Sequence, residues 1–519
     1  MVATTENAIQ AASTTMSATQ LSDIIQQVPQ ILGHMTPKSR RALLSTSRQF
    51  RGQMHQTATS MKVQSVEDIP LLVSQQWSRL KVIHLTGLLD LDARSLTELA
   101  TADWPLLQSL ILTDSDIKQH AEQMAELSPL LLAKWPLLEA MDLTNNGLQL
   151  ASWKVLAEAH WPQLRRLSMR NNDADAAKLR CLVTGNWPML EELDLSYNCM
   201  NEKCMETLSE GKWPQLKKLK LQCCPLFVDA MAYLTLGNWP CLESLDLSKN
   251  WHIPAQGLIG LTEAHWPLFK NLDLESTVVD LSVLPCLAEA WPNLQGLHLG
   301  NHSVSAKSMK DLVMCEWWYL RELCLSSSKI DATATRRLSL GNWPNLDSLD
   351  LGRNSLSACD IEVLVKGNWH KLQTLHLYEN HLDAAAMVHL ANGSWPLLRR
   401  LGLAWNHLDV KALQYLMKGA WFELETLDLS DNMTGRNWVC GWGTGLTGPC
   451  CDAAIVVLRG DSDVVLKEGV NWLSPAKQLG YGLWPKMRFL NLSNFRCSDS
   501  SHCNLSLDME CYPAESDGE

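Results

Sequence analysis

The sequence is poor in basic residues and has few aromatic residues other than tryptophan. It has 44 Lys and Arg against 56 Asp and Glu, a net charge of −12 at pH 7, and no Lys/Arg run of the kind that binds phosphates. Nucleic-acid binding depends on clustered cations, so no nucleic-acid partner is expected. No apolar stretch reaches the length of about 18 residues that a spanning helix needs, so no membrane span is expected.

Motifs for catalysis and metal binding are also missing. The 16 cysteines include no Cys-x-x-Cys pair, and the chain has no phosphate loop, Rossmann glycine fingerprint, His-Glu-x-x-His, Gly-x-Ser-x-Gly or kinase set. We therefore expect no enzyme, no cofactor and no metal site. No secretory signal or transit peptide is recognisable, so reduced thiols and a cytoplasmic or nuclear location are expected.

Tryptophan, in contrast, is abundant and periodic. Fifteen of the 22 tryptophans recur at intervals of mostly 26 residues, and Pro follows eleven of the fifteen. These anchor positions are Trp77, Trp104, Trp135, Trp161, Trp187, Trp213, Trp239, Trp266, Trp291, Trp317, Trp343, Trp369, Trp395, Trp421 and Trp484. A fixed period of this length indicates a chain of stacked structural units, and we interpret the tryptophans as its buried spine.

The unit that begins at Trp343 reads W-P-x-L-x-x-L-x-L-x-x-N-x-L. This pattern resembles the leucine-rich repeat, over roughly residues 66–495. The resemblance implies an α/β solenoid, a horseshoe with short parallel strands on its concave side and helices on its convex side. The residues themselves agree, because Leu349 and Leu351 alternate with Asp350 as in a half-buried strand, and Ile361 and Leu364 have helical spacing.

Two further positions recur in each unit. A glycine two residues before Trp predicts a helix end of the C-terminal-glycine type; it occurs at Gly185, Gly211, Gly237, Gly341, Gly367, Gly393, Gly419 and Gly482. An asparagine after the strand is predicted to form an inward-facing amide ladder; it occurs at Asn146, Asn172, Asn198, Asn250, Asn354, Asn380, Asn406 and Asn432.

The pattern divides the chain into four parts. Residues 1–20 are predicted to be a disordered leader, 21–60 helical, 61–495 a solenoid of about 15 units, and 496–519 a disordered tail. Residues 61–76 are interpreted as the helical half of a repeat. A Gly-rich insertion at 433–470 interrupts the repeats, and either a contact element or a variable loop would explain it.

The segment before the repeats resembles the second half of an F-box. The matching residues are Ile31, Leu32, Met35, Pro37, Leu43, Leu44 and Phe50. The F-box family's opening Leu-Pro is absent at the expected distance, and Pro29 falls within its first helix. The resemblance implies a Skp-type adaptor as partner and a role as substrate-recognition subunit of a cullin-type ubiquitin ligase. A generic helical leader is the alternative.

The outward residues of the strands are the candidate contact surface for a protein partner. We single out Asp142, Asp194, Asp246, Asp273, Asp350, Tyr378, Arg400, Trp405 and Asp428. The aspartates either steer a basic partner or are simply solvated. Two other functions stay open: a stand-alone scaffold or inhibitor similar to ribonuclease inhibitor, and a GTPase activator similar to that of Ran.

Overall fold

The computed structural model describes residues 58–63, 65–74, 77–88, 91–115, 127–251, 253–432, 486 and 489–491. The predicted leader, all seven residues of the F-box-like segment, the insertion at 433–470 and the tail at 496–519 lie outside the described residues.

Short parallel strands recur once per sequence unit. They are β1 Ser60–Lys62, β2 Val82–Thr86, β3 Ser109–Thr113, β4 Ala140–Asp142, β5 Arg166–Ser168, β6 Glu192–Asp194, β7 Lys218–Lys220, β8 Ser244–Asp246, β9 Asn271–Asp273, β10 Gly296–His298, β11 Glu322–Cys324, β12 Ser348–Asp350, β13 Thr374–His376, β14 Arg400–Gly402, β15 Thr426–Asp428 and β16 Phe489–Asn491. Equivalent residues pair, as Leu349 does with Leu375, so the sequence period sets the register.

A helix lies between most of these strands. The α-helices are α1 Ile69–Val73, α2 Ala93–Thr101, α3 Leu150–Glu158, α4 Ala176–Thr184, α5 Glu202–Ser209, α6 Val228–Leu236, α7 Ala255–Leu261, α8 Leu284–Ala290, α9 Ala306–Met314, α10 Ala332–Leu338, α11 Ala358–Leu364, α12 Ala384–Ala391 and α13 Val410–Leu416. Single 3-10 turns occur at Val66–Asp68, Ser128–Leu132 and Leu281–Val283. No helix in the described ranges is long and apolar enough to cross a bilayer.

The chain divides into two compact units. The amino-terminal unit comprises 1–224, 233–242 and 265–267, and the carboxy-terminal unit comprises 225–232, 243–264 and 268–519. In each unit the strands follow one another in chain order in an open parallel sheet, β1–β7 in the first and β8–β16 in the second. The α/β fold class and the leucine-rich-repeat solenoid architecture are confirmed.

Strand β1 was not expected. Residues 61–76 were predicted to be helical, but Ser60–Lys62 pairs in parallel with β2, and only Val66–Val73 is helical. The strand is not recognisable in the sequence because Met61 and Val63 replace the usual leucines. Val63 is nevertheless buried, and its N–H donates to the carbonyl of His84. At the far end, β16 pairs with β15 in register, as the repeat near Trp484 predicts.

The predicted reason for the recurrent glycine was wrong. Gly185 has φ −63° and ψ 146°, extended rather than left-handed backbone, and none of the other six described glycines of this set has a positive φ. A Cβ at Gly185 would instead lie 2.7 Å from the Trp187 ring. Glycine leaves room for the indole, although Ala102 and Ala159 occupy the same place with similar backbone angles.

The tryptophan spine is buried as predicted. None of the fourteen described anchors is more than 4% exposed. In four described units the indole N–H also donates a hydrogen bond. Trp77, Trp369 and Trp395 donate to the carbonyl five residues earlier, and Trp317 donates to that of Trp291. The carbonyls of Leu364 and Leu390 lie near the ends of α11 and α12 and also accept the N–H groups of Gly367 and Gly393.

The asparagine ladder is confirmed and is more general than the sequence showed. Asn380 accepts from the backbone N–H groups of Asn354 and Leu356 and donates to the carbonyls of Leu351, Leu377 and Tyr378. Four described units without asparagine replace its donor with another side chain that reaches a carbonyl of the preceding unit, whereas Thr277 donates to Leu274 of its own unit. The substitutes are Ser115, Cys224, His302 and Ser328.

Candidate functional site

The strand face, formed by the first and third residue of each strand, is the partly exposed side of the sheet. In β12 the middle residue Leu349 is fully buried, whereas Ser348 and Asp350 are half-buried. This alternation repeats along the array, because a strand points successive side chains to opposite sides. All nine residues predicted for partner contact belong to this face or to the turn that follows it.

The six aspartates of the strand face share one structural role. Each accepts, through Oδ1, the backbone N–H of the residue two positions later, at 2.9–3.0 Å. The residues are Asp142, Asp194, Asp246, Asp273, Asp350 and Asp428. This bond closes the turn at the strand exit, as aspartate does in Asx turns. This turn-closing role explains the six aspartates without a basic partner.

One of these aspartates is further engaged by a histidine. His298 Nδ1 lies 3.2 Å from Asp273 Oδ2, and its Nε2 lies 3.4 Å from Glu322 Oε1. Burial lowers the pKa of His298, but hydrogen bonds and charge from both carboxylates outweigh it and raise the pKa to about 10. The imidazolium thus offsets part of the acidic charge on β9 and β11 near neutral pH.

In the amino-terminal unit, charged residues near the strand face contact neighbouring side chains of the same unit. Arg170 lies over the ring of Tyr197 at 4.0 Å and donates to Gln222. Lys220 pairs with Glu192. These side chains already have partners within the unit, so they are less available to another protein than unpaired side chains would be.

The carboxy-terminal unit carries a notch in its strand face. Two small residues, Gly402 and Ala404, take positions that His376 and Tyr378 fill in the preceding repeat, which leaves a cavity of about 460 Å³. Its lining residues are Asp350, His376, Tyr378, Arg400, Leu401, Gly402, Ala404, Trp405, Thr426, Asp428 and Ser430. Five of the nine predicted contact residues thus meet here: Asp350, Tyr378, Arg400, Trp405 and Asp428.

Two aromatic residues form walls of the notch. Trp405 is 55% exposed and has φ 55°, a left-handed conformation that the strand-exit turn imposes at this position in successive repeats. Tyr378 is half-buried, and a Cβ at Gly352 would overlap its ring, so the glycine lets Tyr378 lie across the neighbouring strand. Burial and the nearby Asp350 carboxylate raise the pKa of Tyr378 to about 12. The phenol therefore stays protonated at neutral pH.

The notch also contains polar groups. Arg400 is exposed and forms no ion pair with any carboxylate in the described ranges. Asp428 uses Oδ1 for the N–H and hydroxyl of Ser430. His376 leans towards Gly402, since a Cβ there would lie 2.7 Å from its Nδ1. An apolar floor with a free guanidinium and two aromatic walls suits a protein side chain with polar backbone beside it.

The other predicted residues lie apart from the notch. Asp142 and Asp194 belong to the amino-terminal unit, while Asp246 and Asp273 lie on β8 and β9. Conversely, the importance of Gly402, Ala404 and His376 was missed. The signal was the sequence Leu401-Gly402-Leu403-Ala404, the one described strand exit where both outward positions are this small.

Similarity to known proteins is found among solved structures. No family model and no curated protein sequence matches the chain. Among solved structures, the chain is similar to the leucine-rich repeat-containing protein LegL7 from Legionella pneumophila, with 15% sequence identity and a TM-score of 0.39. The match covers 52% of this chain and 89% of that one. The fold of this chain is therefore assigned from its own repeat and its own structure.

Proposed function

We propose that the chain is a protein-interaction solenoid that binds a partner segment on its strand face, with the notch at Gly402 and Ala404 as the anchor point. The notch carries the proposal because it brings Trp, Tyr and Arg together around one cavity. These three residue types dominate the binding energy of protein interfaces when they line a pocket that a partner can fill. Its volume also falls in the range of pockets that enclose a ligand group, roughly 300–1,000 Å³.

In this proposal a partner side chain enters between Tyr378 and Trp405 and covers Gly402. Burial of its apolar surface supplies most of the affinity. Arg400 then donates hydrogen bonds to a carbonyl or carboxylate of the same segment, which fixes its direction.

Filling the notch is expected to abolish this binding. Peptides selected from a random library on the full chain should bind the Gly402→Leu variant at least tenfold more weakly, because the side chain occupies the anchor cavity. Trp405→Ala should weaken binding by about 30-fold, the effect of losing about 2 kcal/mol at an interface hot spot. Dissociation constants measured by fluorescence anisotropy test both expectations.

Gly260→Leu is the matched control. Gly260 lies in α7, a Cβ there meets no atom within 4 Å, and the same leucine is added away from the strand face. Equal affinity of the selected peptides for Gly402→Leu and Gly260→Leu would contradict the proposed site. So would a library from which the chain enriches no peptide.

We further propose that the partner is a substrate presented to a cullin-type ubiquitin ligase. The support is the sequence of residues 31–51, with Pro37, Leu43, Leu44 and Phe50 in F-box order directly ahead of repeats of the length that the F-box/leucine-rich-repeat family uses. We expect the full chain to retain a purified Skp-type adaptor in a pull-down. Leu43→Asp with Leu44→Asp should abolish that retention and leave peptide binding at the notch intact.

Failure of the wild-type chain to retain the adaptor would favour the stand-alone scaffold or inhibitor. That function requires only the strand face, and nothing in it depends on residues 31–51. A GTPase activator of the Ran type would instead accelerate GTP hydrolysis by a Ran-type GTPase, and an unchanged rate would eliminate it.

A further inference from the structure

Two histidines form a pair at the strand-exit edge, outside the notch. His381 and His407 stand 26 residues apart, each directly after a ladder asparagine. Their rings are parallel within 2°, their centroids are 5.6 Å apart, and His381 Nδ1 lies 3.4 Å from His407 Nε2. Both side chains are exposed.

The backbone holds the two residues in register. The N–H of His381 donates to the carbonyl of Leu356, and the N–H of His407 donates to that of Leu382, the equivalent bond one repeat later. The preceding residues, Asn380 and Asn406, are fixed by the buried ladder. The spacing of the two rings is therefore set by the repeat, and only their side-chain torsions are free.

We propose that His381 and His407 form a two-histidine site for a divalent transition-metal ion of the Zn²⁺ class. Imidazole nitrogen suits zinc, nickel and copper. Two nitrogens bound at about 2.1 Å in tetrahedral geometry are about 3.4 Å apart, which is the separation that this pair already has. Rotation of each exposed ring about its side-chain torsions, by roughly 35° from the line that joins the two nitrogens, aims both lone pairs at one point, and water completes the coordination.

The chemistry of binding needs no other protein group. Without metal, one neutral ring donates its N–H to the other ring. On binding, that ring changes tautomer, so that the proton moves through solvent to its outer nitrogen and both inner nitrogens offer lone pairs. In the described ranges no group of three or more His, Cys, Asp or Glu could hold a metal. The site is thus bidentate and weaker than a three- or four-residue zinc site.

The test is carbethoxylation of histidines by diethyl pyrocarbonate in the full chain, followed by mass spectrometry, with and without ZnCl₂. At a Zn²⁺ concentration ten times the dissociation constant, modification of His381 and His407 should slow by about tenfold. The exposed His370 should react at an unchanged rate.

A single substitution distinguishes the paired site from unrelated binding. His381→Gln alters an exposed side chain, and in this variant Zn²⁺ should no longer slow the modification of His407. In His407→Gln, Zn²⁺ should likewise no longer slow the modification of His381. Protection of His407 that persists in His381→Gln would overturn the proposal. Unchanged modification of both histidines in the wild-type chain at millimolar Zn²⁺ would overturn it too.

Discussion

Asn380→Ala is expected to lower the free energy of unfolding by about 3–5 kcal/mol, since each buried polar group left without a partner costs about 1–3 kcal/mol. The substitution removes the acceptor of the Asn354 and Leu356 N–H groups. It also removes the donor to the carbonyls of Leu351, Leu377 and Tyr378. All five groups belong to the two turns that the amide joins. Urea denaturation followed by circular dichroism measures the loss.

Two further variants make this result specific. Asn342→Ala removes an exposed amide of the same compact unit and should change stability by less than about 0.5 kcal/mol. The stability of Asn380→Ser should lie between those of the two alanine variants. In the repeat of Ser328, the serine hydroxyl donates to a carbonyl of the preceding repeat, as the amide does, but it does not accept two N–H groups. If Asn380→Ala were no less stable than Asn342→Ala, the ladder would contribute nothing to stability.

Trp187→Ala is expected to cost about 3–5 kcal/mol, the usual loss for deleting a buried tryptophan. The more informative measurement is a double-mutant cycle with Gly185, whose added Cβ would lie 2.7–3.0 Å from the Trp187 ring. Gly185→Ala alone should cost about 1–3 kcal/mol, because the ring must shift. In the Trp187→Ala background it should cost nearly nothing, since the obstructing ring is gone.

The cycle separates two explanations of the glycine. A helix-capping role would make Gly185→Ala equally costly in both backgrounds, because backbone strain does not depend on the indole. The extended φ of −63° at Gly185 argues against that role. Additive losses in the cycle would show that the structural explanation is wrong and that glycine is needed for another reason.

The fold could be predicted because its buried positions recur in every repeat. The notch could not, because it depends on residues that differ from one repeat to the next. Leu349 and Leu351, the Trp positions and the Asn ladder follow from periodicity, because each is buried in unit after unit. The glycine before Trp was assigned to the right place for the wrong reason, since a sequence does not distinguish a left-handed residue from one that makes room for a ring. Strand β1 escaped notice because Met61 and Val63 break the leucine pattern.

The candidate site was predicted in part. Tyr378, Arg400 and Trp405 stood out as large exposed residues on the strand face, and the structure brings them to one cavity. The cavity itself arises because Gly402 and Ala404 lack large side chains. A small residue gives no sequence signal that a cavity lies beside it. The six aspartates were conspicuous by repetition, yet each closes its own turn. Only the contacts in the structure distinguish residues that line a cavity from residues that close a turn.

The ladder gives the solenoid a polarity. The Oδ1 atom of Asn380 receives both of its N–H partners from the repeat before it, and Asn406 and Asn432 do the same for their predecessors. In these repeats the amide acceptor for the strand-exit turn therefore comes from the following repeat. Removal of the following repeat takes away this amide acceptor, and removal of the preceding repeat takes away the strand carbonyl that accepts two N–H groups, as Asp347 accepts from Gln373 and Thr374. A cut on either side of such a repeat thus leaves buried backbone N–H groups without an acceptor, so the array has no boundary between repeats at which it could be shortened without that cost.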